Sequence, residues 1–218
     1  MLTFCFPQRW CGYFVRSRII SWLVAFALGW GGSLDLSATS VLPPSFEELV
    51  HQSTLVFRGK VVAVESIWKE HAGKRHLTTQ VRLEVERVLK GDQTASLLLT
   101  FIGGERDGYR MQVLGMPQFV AGDHGVFFVE STSNHFCPLV RLRHGKYRIT
   151  TDVDGTARVL RDDHSPLAEP GRVRVPLGAD SPARAAAVSA GQTLTLADFE
   201  RAISQQVAAD TMTNSVIP

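Results

Sequence analysis

Seven histidines, at positions 51, 71, 76, 124, 135, 144 and 164, are the first side chains to question, because imidazole is the commonest metal ligand in proteins. None is set at helical spacing with a second histidine or a cysteine, and there is no HExxH run. Six of the seven fall in or beside expected turns and linkers, the pattern of scattered surface histidines. Asp152-Val153-Asp154-Gly155 opens like a calcium loop, but the twelfth position holds Asp163 where a glutamate is required, and strands flank it in place of helices. A two-residue hairpin turn accounts for the same residues. Arg141, Arg143, Lys146 and Arg148 with Tyr147 make a basic strip. A single-strand nucleic-acid surface interleaves several aromatics with its cations, and only one is present, so the strip reads as solvated hairpin residues. No GxSxG elbow offers a nucleophile. Glu47/Glu48 and Asp162/Asp163 are sequence neighbours, which does not by itself define a carboxylate dyad.

The glycine-bounded run Gly103, Gly104, Glu105, Arg106, Asp107, Gly108 stands apart. No helix follows to present its N-terminus to a phosphate. Loops on a rigid β-scaffold are where binding concentrates, so Gly103, Gly104, Glu105, Arg106 and Asp107 are the expected partner-binding residues. No catalytic, cofactor-binding or metal-binding set is expected elsewhere. An active site assembled from distant segments is the alternative.

The elements that would carry such a loop are mostly strands. Residues 43–52 predict a short helix, with Ser45 as N-cap and Glu48 at capping-box spacing. Leu55 to Ile67 predicts a first strand, with a bulge or bend at Gly59. Thr79 to Val85 alternates as a half-buried strand does, and His71-Ala72-Gly73-Lys74 is the polar tip joining the two. Lys90-Gly91-Asp92 closes the second strand. Leu97, Leu99 and Phe101 carry a third, and Tyr109 to Leu114 a fourth. Val126 to Val129 is apolar throughout and predicts burial on both sides. Leu139 to Leu142 and Lys146 to Thr150 predict a further hairpin, and Ala157 to Leu160 follows the Asp154-Gly155 turn. Many short strands at this spacing predict a mainly β fold, a closed or partly closed antiparallel barrel over residues 39–161. Residues 162–194 read as a linker or strap. Residues 195–209 read as a helix capped by Thr195, its stripe of Leu196, Phe199, Ile203 and Val207 packing on the barrel.

The N-terminus reads differently. Arg9, Arg16 and Arg18 precede an apolar stretch from Ile19 to Trp30, and small residues lead to Ala38. Those 12 residues are fewer than the roughly 20 that a spanning helix needs. Residues 1–38 therefore predict a secretory signal peptide cleaved near Ala38, with Leu36 at the −3 position. The leader holds three of the 23 basic and one of the 21 acidic residues, so the mature chain keeps 20 of each. A neutral chain gives no electrostatic argument for nucleic acid or an anionic membrane. Cys5 and Cys11 leave with the leader, and Cys137, between Phe136 and Pro138, reads as a buried inert thiol.

Three stretches come in a familiar order: Leu55 to Val62, Val85 to Asp92, and Gly115 to Phe119 followed by Gly122-Asp123 and Val126 to Val129. The succession resembles a group of uncharacterised exported bacterial proteins with an OB-like barrel, similar to the netrin-like domain and to tissue inhibitors of metalloproteinases. The resemblance covers about residues 45–160. In those inhibitors an N-terminal cysteine approaches the protease metal and disulfides brace the barrel. This chain begins Thr39-Ser40 after the expected cut and lacks paired cysteines. What the resemblance implies is a protein-binding barrel acting beside an exported protease; with the leader and the absence of a catalytic constellation, the expected protein is a periplasmic or secreted, non-catalytic binding module. An exported hydrolase and a structural envelope component held by an uncleaved leader are the alternatives.

Overall fold

The computed structural model describes residues 42–71, 73–133, 136–174 and 193–215, all within one unit, Val41–Pro218. The expected leader with its cleavage site, Cys5 and Cys11, and also His135 and residues 175–192, lie outside the described residues.

In chain order the elements are α1 (Phe46–Gln52), β1 (Leu55–His71), β2 (Lys74–Lys90), β3 (Ser96–Ile102), β4 (Gly104–Arg106), β5 (Tyr109–Met111), β6 (His124–Val129), β7 (Lys146–Thr151), β8 (Ala157–Arg161) and α2 (Leu196–Ser215). The capping box is formed: Ser45 Oγ accepts the Glu48 N–H at 3.1 Å, and Glu48 Oε2 accepts the Ser45 N–H at 2.7 Å. Six strands make one antiparallel sheet in the order β3-β2-β1-β6-β7-β8. The mainly β class with a helix at each end is as expected, but the sheet is not closed into a barrel. Its two end strands do not pair. The outer edge of β8 is already taken, by the Val159 N–H bond to the Leu194 carbonyl and by bridges to Pro166 and Thr195.

The register of β1 shifts between Arg58 and Gly59. A Cβ at Gly59 would overlap the carbonyl of Glu84, so the bend admits no side chain. The expected strand at Leu139–Leu142 reduces to one bridge, Leu139 with Val129. Arg141 and Leu142 then take left-handed φ values of 50° and 60°, and a 3-10 turn follows over Leu142–Gly145. The fourth strand stops at Met111 and leaves Leu114 exposed.

Two apolar clusters hold the sheet, and alternation along β1 and β6 feeds both. Val56, Val126 and Phe128 face the helices with Leu49, Tyr147, Val159 and Phe199. Phe57, Phe127 and Val129 face the other way with Leu83, Leu99, Phe101 and Leu139. β6 is thus buried on both faces. Thr195 caps α2 by accepting the Asp198 N–H at 3.2 Å, and Leu196, Phe199 and Ile203 are buried. The Phe199 ring lies 5.1 Å from that of Tyr147, 6.0 Å from Phe46 and 6.1 Å from Phe128. Of the stretch read as a linker, residues 162–174 pack on this cluster through Leu167 and Val173.

β1 and β2 are each 17 residues long. At about 3.3 Å per residue they outrun any single core layer. β6 pairs with β1 only from Leu55 to Lys60, and β3 with β2 only from Thr78 to Glu84. Beyond these limits the hairpin projects as an arm, and the small β4–β5 hairpin lies against it.

Candidate functional site

The arm brings together the residues that the sequence singles out and others that it does not. Gly104 sits where β4 crosses the two long strands, with φ of 138°. A Cβ there would stand 2.5 Å from both Ser66 Oγ and Thr79 Oγ1, so only glycine permits the approach. The two hydroxyls form a directed chain. The Glu105 N–H donates to Ser66 Oγ at 3.2 Å, and Ser66 and Thr79 share a bond of 3.2 Å. Thr79 Oγ1 then donates to the Gly103 carbonyl at 2.8 Å, which orients the whole relay. Each hydroxyl proton is therefore committed to fixing β4 on the arm.

The charged tip is held as firmly. Arg106 Nη1 donates to the Ser66 carbonyl at 2.6 Å and to Glu65 Oε1 at 3.4 Å. Asp107 takes a left-handed φ of 54° and accepts the Trp68 indole N–H at 3.0 Å. Tyr109 stands edge-on to Trp68 with ring centroids 5.7 Å apart, and the Arg75 guanidinium lies 5.0 Å from the centre of the Trp68 ring. Glu105 pairs with Arg110 at 3.3 Å. Tyr109 is 66% exposed, and Val62, Val64 and Met111 are exposed as well.

Beside this tip lies a cleft of about 210 Å³. Gly103, Gly104 and Glu105 line it with Val64, Met111 and Phe119. The five expected partner-binding residues thus divide: Gly103, Gly104 and Glu105 wall the cleft, while Arg106 and Asp107 brace the tip. Trp68, Arg75 and Tyr109 complete the site beyond those five. The signal available was the two-residue period that sets Val64, Ser66 and Trp68 on one face of β1.

A second polar centre lies in the body and corrects the solvated-strip reading. The Lys146 side chain is 1% exposed. Its ammonium bonds the Gln118 carbonyl, reaches Asp123 Oδ2 at 3.2 Å and Asp162 Oδ1 at 3.4 Å, and lies 4.4 Å from the centre of the Phe119 ring. Arg148 pairs with Asp123 at 2.9 Å, and Arg143 with Asp162 at 3.2 Å. Burial lowers the affinity of Lys146 for its proton and the two carboxylates oppose that, leaving it below the ordinary lysine value. Burial alone would raise the Asp123 carboxyl, but Lys146, the Val120 N–H and Arg148 outweigh it and hold it below the usual carboxylate range. The knot ties the turn at Asp123, the 3-10 turn and the end of β8 to β7.

His144 is buried, unlike the surface residue expected, and burial with Arg161 and Arg143 pushes its pKa down to about 4. His124 Nε2 pairs with Glu86 at 2.8 Å. Arg158 occupies the carboxylates of the turn that resembled a calcium loop, at 2.9 Å from Asp152 and 3.7 Å from Asp154. Cys137 is buried, and burial pushes its thiol up to about 12. Among the described residues no three of His, Cys, Asp and Glu come together as a metal site, and no helix is long and apolar enough to cross a membrane.

No family model and no curated protein sequence matches this chain.

Proposed function

We propose that the protein is an exported, non-catalytic protein-binding module whose contact surface is the face of the arm around Tyr109, Trp68, Arg75 and Arg106. The observation that carries the reading is the Trp68–Tyr109–Arg75 cluster, its Tyr109 and Arg75 exposed and its Trp68 half-buried, fixed by the Asp107–indole bond and the Gly104 relay. Tryptophan, tyrosine and arginine are the residue types that dominate binding energy at protein interfaces. Holding them in place before contact reduces the entropy lost on association. The uncharged cleft residues Val64 and Met111 beside them supply apolar area. Export rests on the leader read in the sequence, and a protease neighbour on the resemblance to inhibitor-like barrels.

The test compares the immobilised full chain with its Tyr109→Ala and Arg75→Ala variants in envelope extract. A protein retained stoichiometrically by the wild type and lost from both variants supports the reading. Equal retention by all three, or turnover of an ester, peptide or glycoside substrate by the purified chain, overturns it.

A further inference from the structure

We infer that β3 is a self-pairing edge, at which two copies of the chain join as an antiparallel strand pair centred on Leu99. The phase of the β2–β3 ladder decides which backbone groups are spent. Val85 N–H donates to the Ala95 carbonyl at 3.0 Å and Gly103 N–H to the Leu77 carbonyl at 2.8 Å. Between them Leu97, Leu99 and Phe101 face β2, and Ser96, Leu98, Thr100 and Ile102 turn their N–H and C=O groups outward. Both ends of that outer row are occupied. Thr94 Oγ1 donates to the Ser96 carbonyl at 2.9 Å, and the Ile102 N–H donates to the Phe136 carbonyl at 3.0 Å. The four outward groups of Leu98 and Thr100 meet no partner among the described residues. The opposite end of the sheet is treated differently, since β8 is covered by residues 166–167 and 194–195.

The open window fits a second copy of itself. An antiparallel pair centred on Leu99 sets Leu98 of one copy across from Thr100 of the other, twice over, and all four groups of each copy are satisfied. Residues 94–102 carry no charge, no proline and no glycine, so this edge faces itself without like-charge repulsion. The side chains match too. Leu98 is 48% exposed, and a groove of about 210 Å³ lies beside Thr100, lined by Thr78, Thr100, Ile102 and Phe136 together with Lys69, Glu70 and His76. Residues directly opposite in a ladder project on the same face, so each copy's Leu98 meets the other copy's groove. One short strand pair makes a small interface, below about 1,200 Å², so the dimer dissociates on dilution.

Sedimentation equilibrium of the full chain over a concentration series tests this, with Leu98→Lys and Thr100→Pro as variants. Lysine sets two like charges into the pair. Proline removes one outward N–H and leaves the bonds to β2 intact. The expected result is a wild type in monomer–dimer exchange and two variants that stay monomeric with unchanged circular dichroism. A wild type that is monomeric throughout, its edge then left for a strand of another protein, overturns the inference. So does a dimer that persists in both variants. Amide exchange of the wild type needs no variant to fold: the Leu98 and Thr100 amides should slow as concentration rises, and concentration-independent exchange contradicts the pairing.

Discussion

Up to Val61, β1 runs between two apolar layers; beyond it the same strand has only β2, the β4–β5 hairpin and solvent. In the body, charged groups are buried and their partners come from far along the chain. Glu200 of α2, its side chain 7% exposed, reaches Arg58 of β1 at 2.9 Å and Arg87 of β2 at 2.7 Å. In the arm, partners also distant in the chain, such as Arg106 with Glu65, stay exposed and hold a small hairpin against a large one, with Tyr109 facing water. Buried networks of the first kind join elements into one structure. A surface of the second kind adds little to stability, and on the proposed reading it is fixed in advance of binding.

Substitutions separate the two regions by where their effects are read. Phe199→Ala opens a cavity among Phe46, Phe128 and Tyr147 and should cost about 4 kcal/mol in urea denaturation. Lys146→Met leaves Asp162 and Asp123 short of their shared cation and should cost about 3 kcal/mol by the same measurement. A loss below about 1 kcal/mol would mean that Arg148 and Arg143 suffice for both carboxylates. Glu200→Gln weakens the clasp of α2 on the sheet and should cost about 1–2 kcal/mol.

His144 gives the body a pH dependence. Its pKa is about 4 in the folded chain against 6.5 for the free group. Between those values the unfolded chain binds a proton that the folded chain refuses, so stability falls as pH drops from 6.5 to about 4 and is whole above 6.5. The melting temperature of His144→Gln should lose that part of the acid slope. Tyr109→Ala should have the smallest effect on folding, within about 0.5 kcal/mol, while weakening capture of the partner by roughly thirtyfold, about 2 kcal/mol. A Tyr109→Ala chain that unfolds like Phe199→Ala would erase the distinction between arm and body.

What was legible in the sequence followed from local signals. Ser45 and Glu48 announce α1 because a capping box lies within four residues. The β1–β2 hairpin and the doubly buried Val126 to Val129 follow from alternation and from continuous apolarity. The stripe of α2 shows its buried face through Leu196, Phe199 and Ile203. Partnerships formed at a distance were not legible. Lys146 looks like a hairpin cation until Asp123 and Asp162, from two separate turns, close around it. Barrel closure depends on what covers the edge of β8, and Pro166 and Thr195 carry no mark of that role. The loop at Gly103–Asp107 was found by composition, but its glycines are there because β4 crosses Ser66 and Thr79. Trp68 and Tyr109 meet only when that crossing is made.

The most direct test of the arm as the binding surface is site-specific photo-crosslinking in intact cells. A photoreactive phenylalanine replaces Tyr109 in one chain and, in another, Val153 at the fully exposed turn between β7 and β8. The expected result is one discrete adduct from position 109 and none of that mass from position 153. The same adduct from both positions, or none from 109, would contradict it.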